Sequence, residues 1–209
     1  FLIKIHFFKL FIYYIMKIIL PEGIDYSKYY GSSGSNTKTW GPAGWNFLFT
    51  SIIGRYPVEI KTKEDLEIKQ AFKSMLTNLS NIMPCIFCRN SFKGFLEELP
   101  IEDYLIGRIE LMYWLYLMKD KVNKKLICQE NKCYNDEKSR LKGMFYNKEI
   151  TEEEYYKKVQ EFKAGNFETI PTPPFKEVLD KYEAQRAVCD KKAKKCRLPS
   201  KKYPHSGEE

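Results

Sequence analysis

Residues 84–99 read PCIFCRNSFKGFLEEL, and this stretch is the starting point for predicting the fold. It opens with a Pro-Cys-x-x-Cys motif and continues with apolar residues three or four positions apart, the spacing of one buried helix face. The positions on that face are Cys88, Phe92, Phe95, Leu96 and Leu99. Pro100 ends the pattern. The stretch therefore predicts a helix with a cysteine pair in its first turn.

Three neighbouring segments show the same helical spacing. They begin at Trp40, Lys63 and about Asp103, and they end before Pro57, at Asn81 and at Leu126. In the second segment we expect Leu66 and Leu76 to face inward. Four helices with short connections, and no convincing strand pattern, predict an all-α four-helix bundle.

The rest of the chain divides into two appendages. Residues 1–38 form an N-terminal segment and a Gly/Ser-rich linker, 39–127 the four-helix domain, and 128–209 a C-terminal helical extension with a basic, cysteine-containing tail. In the extension, Thr151–Glu154 is a capping-box sequence and Pro173-Pro174 opens a further helix.

The first twenty residues are apolar, but four of them interrupt a possible membrane span, and no small-residue cleavage site follows. These four are Lys4, His6, Lys9 and Lys17. We expect no stable membrane span. Two alternatives stay open for residues 1–15: they precede a natural start at Met16, or they form a peripheral segment.

The net charge of +8 is concentrated at the two ends of the chain, so the body between them is neutral. Only six of the 35 basic residues are Arg. Arg is the side chain that bidentate recognition of bases and phosphates favours, so we expect no nucleic-acid partner.

Histidine chemistry is excluded from the folded body, because the chain has only His6 and His205, at opposite ends. A Ser-His-Asp or Cys-His hydrolase and a mixed Cys/His zinc site each need an imidazole inside the fold. The six cysteines are the remaining reactive groups.

A Cys-x-x-Cys pair at a helix N-terminus favours redox chemistry. The helix dipole and the unpaired N–H groups lower the pKa of the first thiol, and the second thiol lies close enough to form a disulfide. A structural all-cysteine zinc module stays open as an alternative, with Cys128/Cys133 or Cys189/Cys196 as the second pair, although neither pair has the x2 spacing. A thioredoxin-like domain would need a βαβ frame, which the sequence lacks.

Motifs on both sides of the cysteine pair complete a pattern. Upstream stand Trp40-Gly41-Pro42-Ala43-Gly44-Trp45 and Tyr56-Pro57; downstream stand Arg108-x-x-Leu111-x-x-Trp114 and Val122-Asn123-Lys124-Lys125-Leu126. Together, in this order, they resemble the Erv/ALR family of FAD-linked sulfhydryl oxidases over about residues 39–126.

The resemblance implies an enzyme that oxidises thiols of protein substrates to disulfides and passes the electrons through FAD to O2, giving hydrogen peroxide. It implies a homodimer. Cys85 would exchange disulfides with the substrate and Cys88 would be the thiol next to the flavin. The residues expected to hold FAD are Thr39, Trp40, Gly41, Pro42, Trp45, Phe49, Trp114, Lys119, Val122, Asn123, Lys125 and Leu126. The resemblance implies no metal.

Two departures from the family pattern affect the cofactor prediction. Phe49 stands where relatives have a histidine on the first helix, and Lys119-Asp120 stand in place of a His-Asn pair on the fourth. Phe49 could stack on the cofactor and Lys119 could pair with its phosphates. A catalytically weak binding or scaffold protein on the same fold is therefore the second hypothesis.

The four remaining cysteines are assigned through the same resemblance. Cys189 and Cys196 are the candidate shuttle pair, Cys128 and Cys133 a candidate structural clip, and plain structural or free cysteines are the alternative for both. The tail from Thr172 to Pro199 resembles tails of giant-virus members of the family; for a viral protein the expected location is the host cytoplasm or the virion.

Overall fold

A computed structural model describes residues 20–31, 34–166, 169–190 and 195–197. The chain divides into two units, residues 1–33 and 34–209. In the first, residues Tyr26–Tyr29 form a 3-10 turn that starts at Asp25, whose side chain accepts the Ser27 N–H at 3.0 Å. The predicted start at Met16 lies outside the described residues. Among the helices that the structure describes, none is long and apolar enough to cross a membrane.

The second unit is helical, as predicted. Its α-helices are α1 (Thr37–Arg55), α2 (Lys63–Ile82), α3 (Ile86–Glu98), α4 (Arg108–Tyr146), α5 (Glu152–Asn166) and α6 (Phe175–Glu183). The strands β1 (Val188–Asp190) and β2 (Lys195–Arg197) follow as an antiparallel pair, which the sequence analysis did not predict. The charged tail has no alternating apolar pattern, so the usual signal for a strand is missing.

One apolar core joins the bundle helices α1 to α4 and also includes α6. Helix α1 contributes Phe49 and Ile52, α4 contributes Trp114, and α6 contributes Tyr182. Helix α2 buries Phe72 and Leu76, whereas Leu66 is 56% exposed, so the inward placement predicted for Leu66 is wrong. Leu66 lies in the first turn of α2, next to the capping box of Thr62 and Asp65, outside the stretch that meets the core.

Three of the motif residues hold the ends of helices together. The Tyr56 hydroxyl donates to the Leu105 carbonyl at 2.9 Å, and Arg108 Nε donates to the Tyr56 carbonyl at 2.6 Å. Trp114 Nε1 donates to the Leu99 carbonyl at 3.0 Å. All three carbonyls belong to connecting segments or helix ends, where helical partners are missing, so each bond satisfies an otherwise unpaired backbone group.

Helix α4 is much longer than predicted. It runs without interruption for 39 residues from Arg108 to Tyr146, so the predicted end at Leu126 is wrong. No Pro or Gly interrupts the sequence between Leu126 and Gly143, and charged side chains such as Lys and Glu are good helix formers. Among the described residues, Met118 is the last one of α4 that belongs to the core, and the helix continues well beyond it. Beyond it, Leu141 of α4 and Val159 of α5 are buried in a helical hairpin.

After α5 the chain returns to the bundle. The Thr169 N–H donates to the Glu130 carboxylate at 3.1 Å, and Asn123 Nδ2 donates to Thr172 Oγ1 at 2.9 Å. Helix α6 then buries Val178 and Tyr182 in the core. The proposed boundary between residues 127 and 128 thus falls inside one helix, and a segment assigned to the extension completes the core.

Candidate functional site

Cys85 and Cys88 lie together at the start of α3. Cys85 is the N-cap residue, and its Sγ accepts the Cys88 N–H at 3.2 Å. Both residues are partly buried and both thiols are free, so the structure describes the reduced pair. Between them, Phe87 is 77% exposed. A reagent or substrate can therefore reach the first turn of α3 from solvent.

The two thiols differ in acidity for identifiable reasons. A hydrogen bond from the Cys88 thiol lowers the pKa of Cys85, helped by the backbone N–H groups of Cys88 and Phe87 and by the charge of Arg89, while burial opposes the shift. Burial first, and then the hydrogen bond and charge of Cys85, raise the pKa of Cys88 to about 11, against a lowering effect of Lys125. Cys85 is thus the thiol that ionises first and the more reactive of the two near neutral pH.

A glycine lets the chain pass close to this pair. A Cβ atom at Gly34 would lie 2.0 Å from the Pro84 carbonyl oxygen, a separation that no side chain permits. The residues before α1 therefore run directly against the residue that precedes Cys85.

Three of the predicted cofactor residues on α1 are aromatic. Trp40 Nε1 donates to the Ser35 carbonyl at 3.3 Å, and the rings of Trp45 and Phe49 lie 6.4 Å apart. Phe49 is fully buried and stacks on Tyr182, with ring centroids 4.8 Å apart and planes at 14°. Thr39 and Pro42 are exposed and Gly41 is half-buried. Phe49 thus already has an aromatic partner within this chain.

The predicted cofactor residues on α4 differ in their surroundings. Trp114 is fully buried and bonded to Leu99, whereas Leu126 is exposed and Val122 is half-buried. The Asn123 amide is already bonded to Thr172. Lys125 Nζ donates to the Ser91 hydroxyl on α3.

Lys119 is a half-buried cation with a like charge nearby. Burial, and then the charge of Lys181, lower the pKa of Lys119. Across the described part of the chain, no carboxylate forms an ion pair with Lys119. A half-buried ammonium beside a second one favours an anionic ligand at this position.

Sequence reasoning missed three residues at these positions: Tyr182, Lys181 and Ser91. A signal for Tyr182 was present, because Val178 and Tyr182 are four residues apart after Pro174, on one face of a helix. What the spacing does not show is which helix that face meets. Ser91 is one of many polar residues on α3, and no sequence pattern distinguishes it.

The structure contradicts one assignment among the other cysteines. Cys128 and Cys133 are both free and exposed on α4. Five residues of helix separate their Cα atoms by about 7.5 Å along the axis, beyond the reach of a disulfide. The predicted structural clip is therefore wrong.

The tail cysteines are arranged differently. Cys189 is disulfide-bonded, and the register of β1 and β2 places it opposite Cys196. Whether this pair exchanges electrons with Cys85 and Cys88 stays a prediction. Over the residues described, no group of three or more His, Cys, Asp or Glu side chains is arranged to hold a metal ion.

Comparisons with known proteins agree with the motifs quoted above. Residues 42–142 match the model of the Erv1 / Alr family, and this match contains Cys85, Cys88 and most of the predicted cofactor residues. No curated protein matches the chain.

Solved structures of yeast Erv1 are similar to part of the chain. A crystal structure of the yeast Erv1 core has 24% identity and a TM-score of 0.38, and the match covers 53% of this chain and 80% of that one. The FAD-binding domain of Erv1 from Saccharomyces cerevisiae has 28% identity and a TM-score of 0.38, covering 44% of this chain and 81% of that one. Helices α1 to α4 and the cysteine pair thus lie largely within a segment, residues 42–142, that has the sequence pattern of the Erv1 / Alr family.

Proposed function

We propose that this protein is an FAD-linked thiol oxidase that forms disulfides in protein substrates. The observation that carries the proposal is the Cys85–Cys88 pair at the start of α3, with its divided acidity, inside the segment that matches the Erv1 / Alr family. The reactive pair is open to solvent on one side through Phe87 and adjoins the bundle on the other.

The exchange with substrate is balanced in atoms and electrons. In the oxidised enzyme, a substrate thiolate attacks Cys85 Sγ of the Cys85–Cys88 disulfide, forms a mixed disulfide and releases the Cys88 thiolate. A second substrate thiolate attacks the substrate sulfur of that mixed disulfide and releases Cys85 as a thiolate. The substrate has then lost two electrons and two protons, and the cysteine pair has gained the two electrons.

Bound FAD would supply the redox chemistry by which these two electrons reduce O2 to hydrogen peroxide. The side chains of this chain are of the types that such a cofactor needs. Lys119 and Lys181 are neighbouring cations with no carboxylate between them in the described structure, which suits them to bind phosphate. Trp40 and Trp45 supply aromatic surface. Cys88, the more buried thiol, is the one we place next to the flavin.

Three further assignments belong to this proposal. The Cys189 disulfide in the basic hairpin serves as the shuttle: it is reduced by the protein substrate, and a thiolate of the reduced pair then attacks Cys85 in place of the substrate thiolate. The protein acts as a homodimer, as the family resemblance implies. The resemblance of the tail to giant-virus members of the family supports a viral origin for the enzyme.

An absorbance spectrum and a peroxide assay test the function directly. The purified protein is expected to be yellow, with the visible absorbance of bound flavin, and to produce one hydrogen peroxide for each disulfide formed from dithiothreitol. Cys88→Ser is expected to lose this turnover, whereas Cys133→Ser, the matched change of an exposed free thiol, retains it. Full oxidase activity in the Cys88 variant would refute the assignment.

A second function is favoured by one observation. Tyr182 stacks on Phe49, and Asn123 donates a hydrogen bond to Thr172, so two residues predicted to contact the cofactor already have partners within the chain. A binding or scaffold protein on this fold would be colourless and would not take up added FAD. Colourless protein that still exchanges disulfides would support this alternative.

A further inference from the structure

A row of lysines on α4 faces α3 and leads toward the cysteine pair. Lys121 Nζ lies 2.6 Å from Glu98 Oε2 and 5.7 Å from the centre of the Phe95 ring. One turn further along α4, Lys125 contacts Ser91, which lies one turn before Phe95 and two turns before Glu98 on α3. The two helices are thus antiparallel here. Of the two lysines, Lys125 lies nearer the N-terminal end of α3, which carries Cys88.

Ser91 holds Lys125 in a defined position. Ser91 follows Cys88 by three residues, so the two side chains share one face of α3. The Ser91 hydroxyl donates its proton to the Phe87 carbonyl at 2.7 Å, which leaves an oxygen lone pair to accept from Lys125 Nζ. The hydrogen bonds therefore run from Lys125 on α4 through Ser91 to the carbonyl of Phe87 in the first turn of α3.

Lys125 differs from its two lysine neighbours in its partner. Lys121 pairs with Glu98 and Lys124 pairs with Asp120. In the described structure, Lys125 has only a neutral hydroxyl as its partner and no carboxylate to neutralise it. Lys125 is half-buried as well, so its charge is less screened by water than that of Lys124, which is exposed.

We propose that Lys125, positioned by Ser91, is the charge that stabilises the Cys88 thiolate when the Cys85–Cys88 disulfide opens. The proposal deepens the thiol oxidase function and rests on it for its role in turnover. The geometry agrees with the electrostatics: Lys125 acts to lower the pKa of Cys88, and Arg89, on α3 itself, acts on Cys85 instead. Burial and the neighbouring Cys85 oppose Lys125 by raising the pKa of Cys88, and a backbone hydrogen bond acts in the same direction as Lys125.

The step concerned is the release of Cys88. When a substrate thiolate attacks Cys85 Sγ, the Sγ–Sγ bond breaks and its electron pair stays on Cys88. The negative charge thus moves from the substrate sulfur to a partly buried sulfur, where burial alone disfavours it. A fixed ammonium at Lys125 offsets this cost without donating a proton.

Thiol titration in the full-length protein tests the proposal. The reduced protein is treated with iodoacetamide under anaerobic conditions at a series of pH values, and labelling of Cys88 is followed by peptide mass spectrometry. Removing an opposite charge close to a thiol raises its pKa by about one unit or more. Lys125→Met is therefore expected to shift the pH profile of Cys88 labelling upward by about one unit, measured as labelling about tenfold slower at a fixed pH below about 9, where lysine side chains are charged.

Three variants separate this role from others. Lys124→Met removes the adjacent, carboxylate-paired lysine and is expected to leave the titration unchanged. Lys125→Arg keeps the charge and is expected to restore most of the wild-type titration, and Ser91→Ala is expected to give a smaller upward shift than Lys125→Met.

The outcome that would overturn the proposal is an unchanged Cys88 titration in the Lys125→Met protein. Loss of flavin from that variant with an unchanged titration would show that Lys125 serves only to bind the cofactor. Colourless wild-type protein with a shifted titration in Lys125→Met would refute the oxidase function and leave the electrostatic role standing. The two proposals therefore fail separately.

Discussion

At the scale of single residues, the most informative contrast is between two cysteines separated by two residues. Cys85 caps α3 and receives hydrogen bonds, whereas Cys88 donates one and is more deeply buried. The helix N-terminus could be read from the sequence, because Pro84 and the apolar spacing mark it. The difference in pKa between the two thiols could not be read from the sequence, because it depends on what packs around Cys88.

This contrast predicts an order of reaction. In the reduced full-length protein, Cys85 is expected to be alkylated before Cys88, because its lowered pKa supplies thiolate at a pH where Cys88, with a pKa of about 11, is still protonated. The difference should narrow as the pH approaches 11. Peptide mass spectrometry after brief iodoacetamide treatment measures it.

The control for this order is the same chain in strong denaturant. There both thiols lose their surroundings and should react at similar rates. Equal rates in the folded protein as well would show that the two thiols are not distinguished by the fold.

At the scale of elements, helix α6 shows where sequence patterns stop being informative. Its amphipathic spacing and its start after Pro174 were both visible, and the helix is present. Its partner was not visible, because pattern reasoning gives the apolar face of a helix and not the surface that the face meets. The stack of Tyr182 on Phe49 is a tertiary contact of this kind, between residues more than 130 positions apart in the chain.

Tyr182 is therefore expected to matter for stability. Tyr182→Ala removes a ring that is 4% exposed and leaves a cavity against Phe49, so the free energy of unfolding should fall by about 3 kcal/mol or more. Urea denaturation followed by circular dichroism measures the change.

Two matched variants interpret that result. Tyr182→Phe keeps the ring and should stay within about 1 kcal/mol of wild type. Tyr156→Ala removes a tyrosine that is 59% exposed and should change stability by about 0.5 kcal/mol or less. A Tyr182→Ala protein as stable as the Tyr156→Ala protein would contradict the placement of α6 in the core.

At the scale of the whole molecule, the second unit is a bundle interrupted by an inserted helical hairpin. The second half of α4 and α5 contribute no described residue to the core, and the chain is held again at Asn123 by Thr172. The sequence indicated the four-helix bundle and the cysteine pair because both depend on local periodicity and spacing. It did not indicate that the bundle closes only after the insertion, because this depends on contacts between distant segments.

The insertion should be removable. A chain in which residues 127–170 are replaced by four glycines is expected to keep the bundle, since four residues span up to about 13 Å and the two ends meet at the Asn123–Thr172 bond. Its thermal transition should stay cooperative, and its cysteine pair should retain the alkylation order predicted for the full-length protein. Loss of cooperative unfolding would show instead that the hairpin stabilises the bundle.

A chain shortened at residue 168 is the comparison for this experiment. It keeps the hairpin and lacks α6, and it should be the less stable of the two, since Val178 and Tyr182 belong to the core.

The close approach of Gly34 to Pro84 has a consequence for variation in the linker. The stretch Gly31-Ser32-Ser33-Gly34-Ser35 looks interchangeable by composition, yet a side chain at Gly34 would collide with a backbone oxygen, whereas one at Gly31 would meet nothing within 4 Å. Inserting or deleting one residue between Gly34 and α1 would bring a serine to that contact. Among descendants of this sequence, the linker should therefore tolerate many substitutions, including at Gly31. Gly34 and the number of residues between Gly34 and α1 should be conserved.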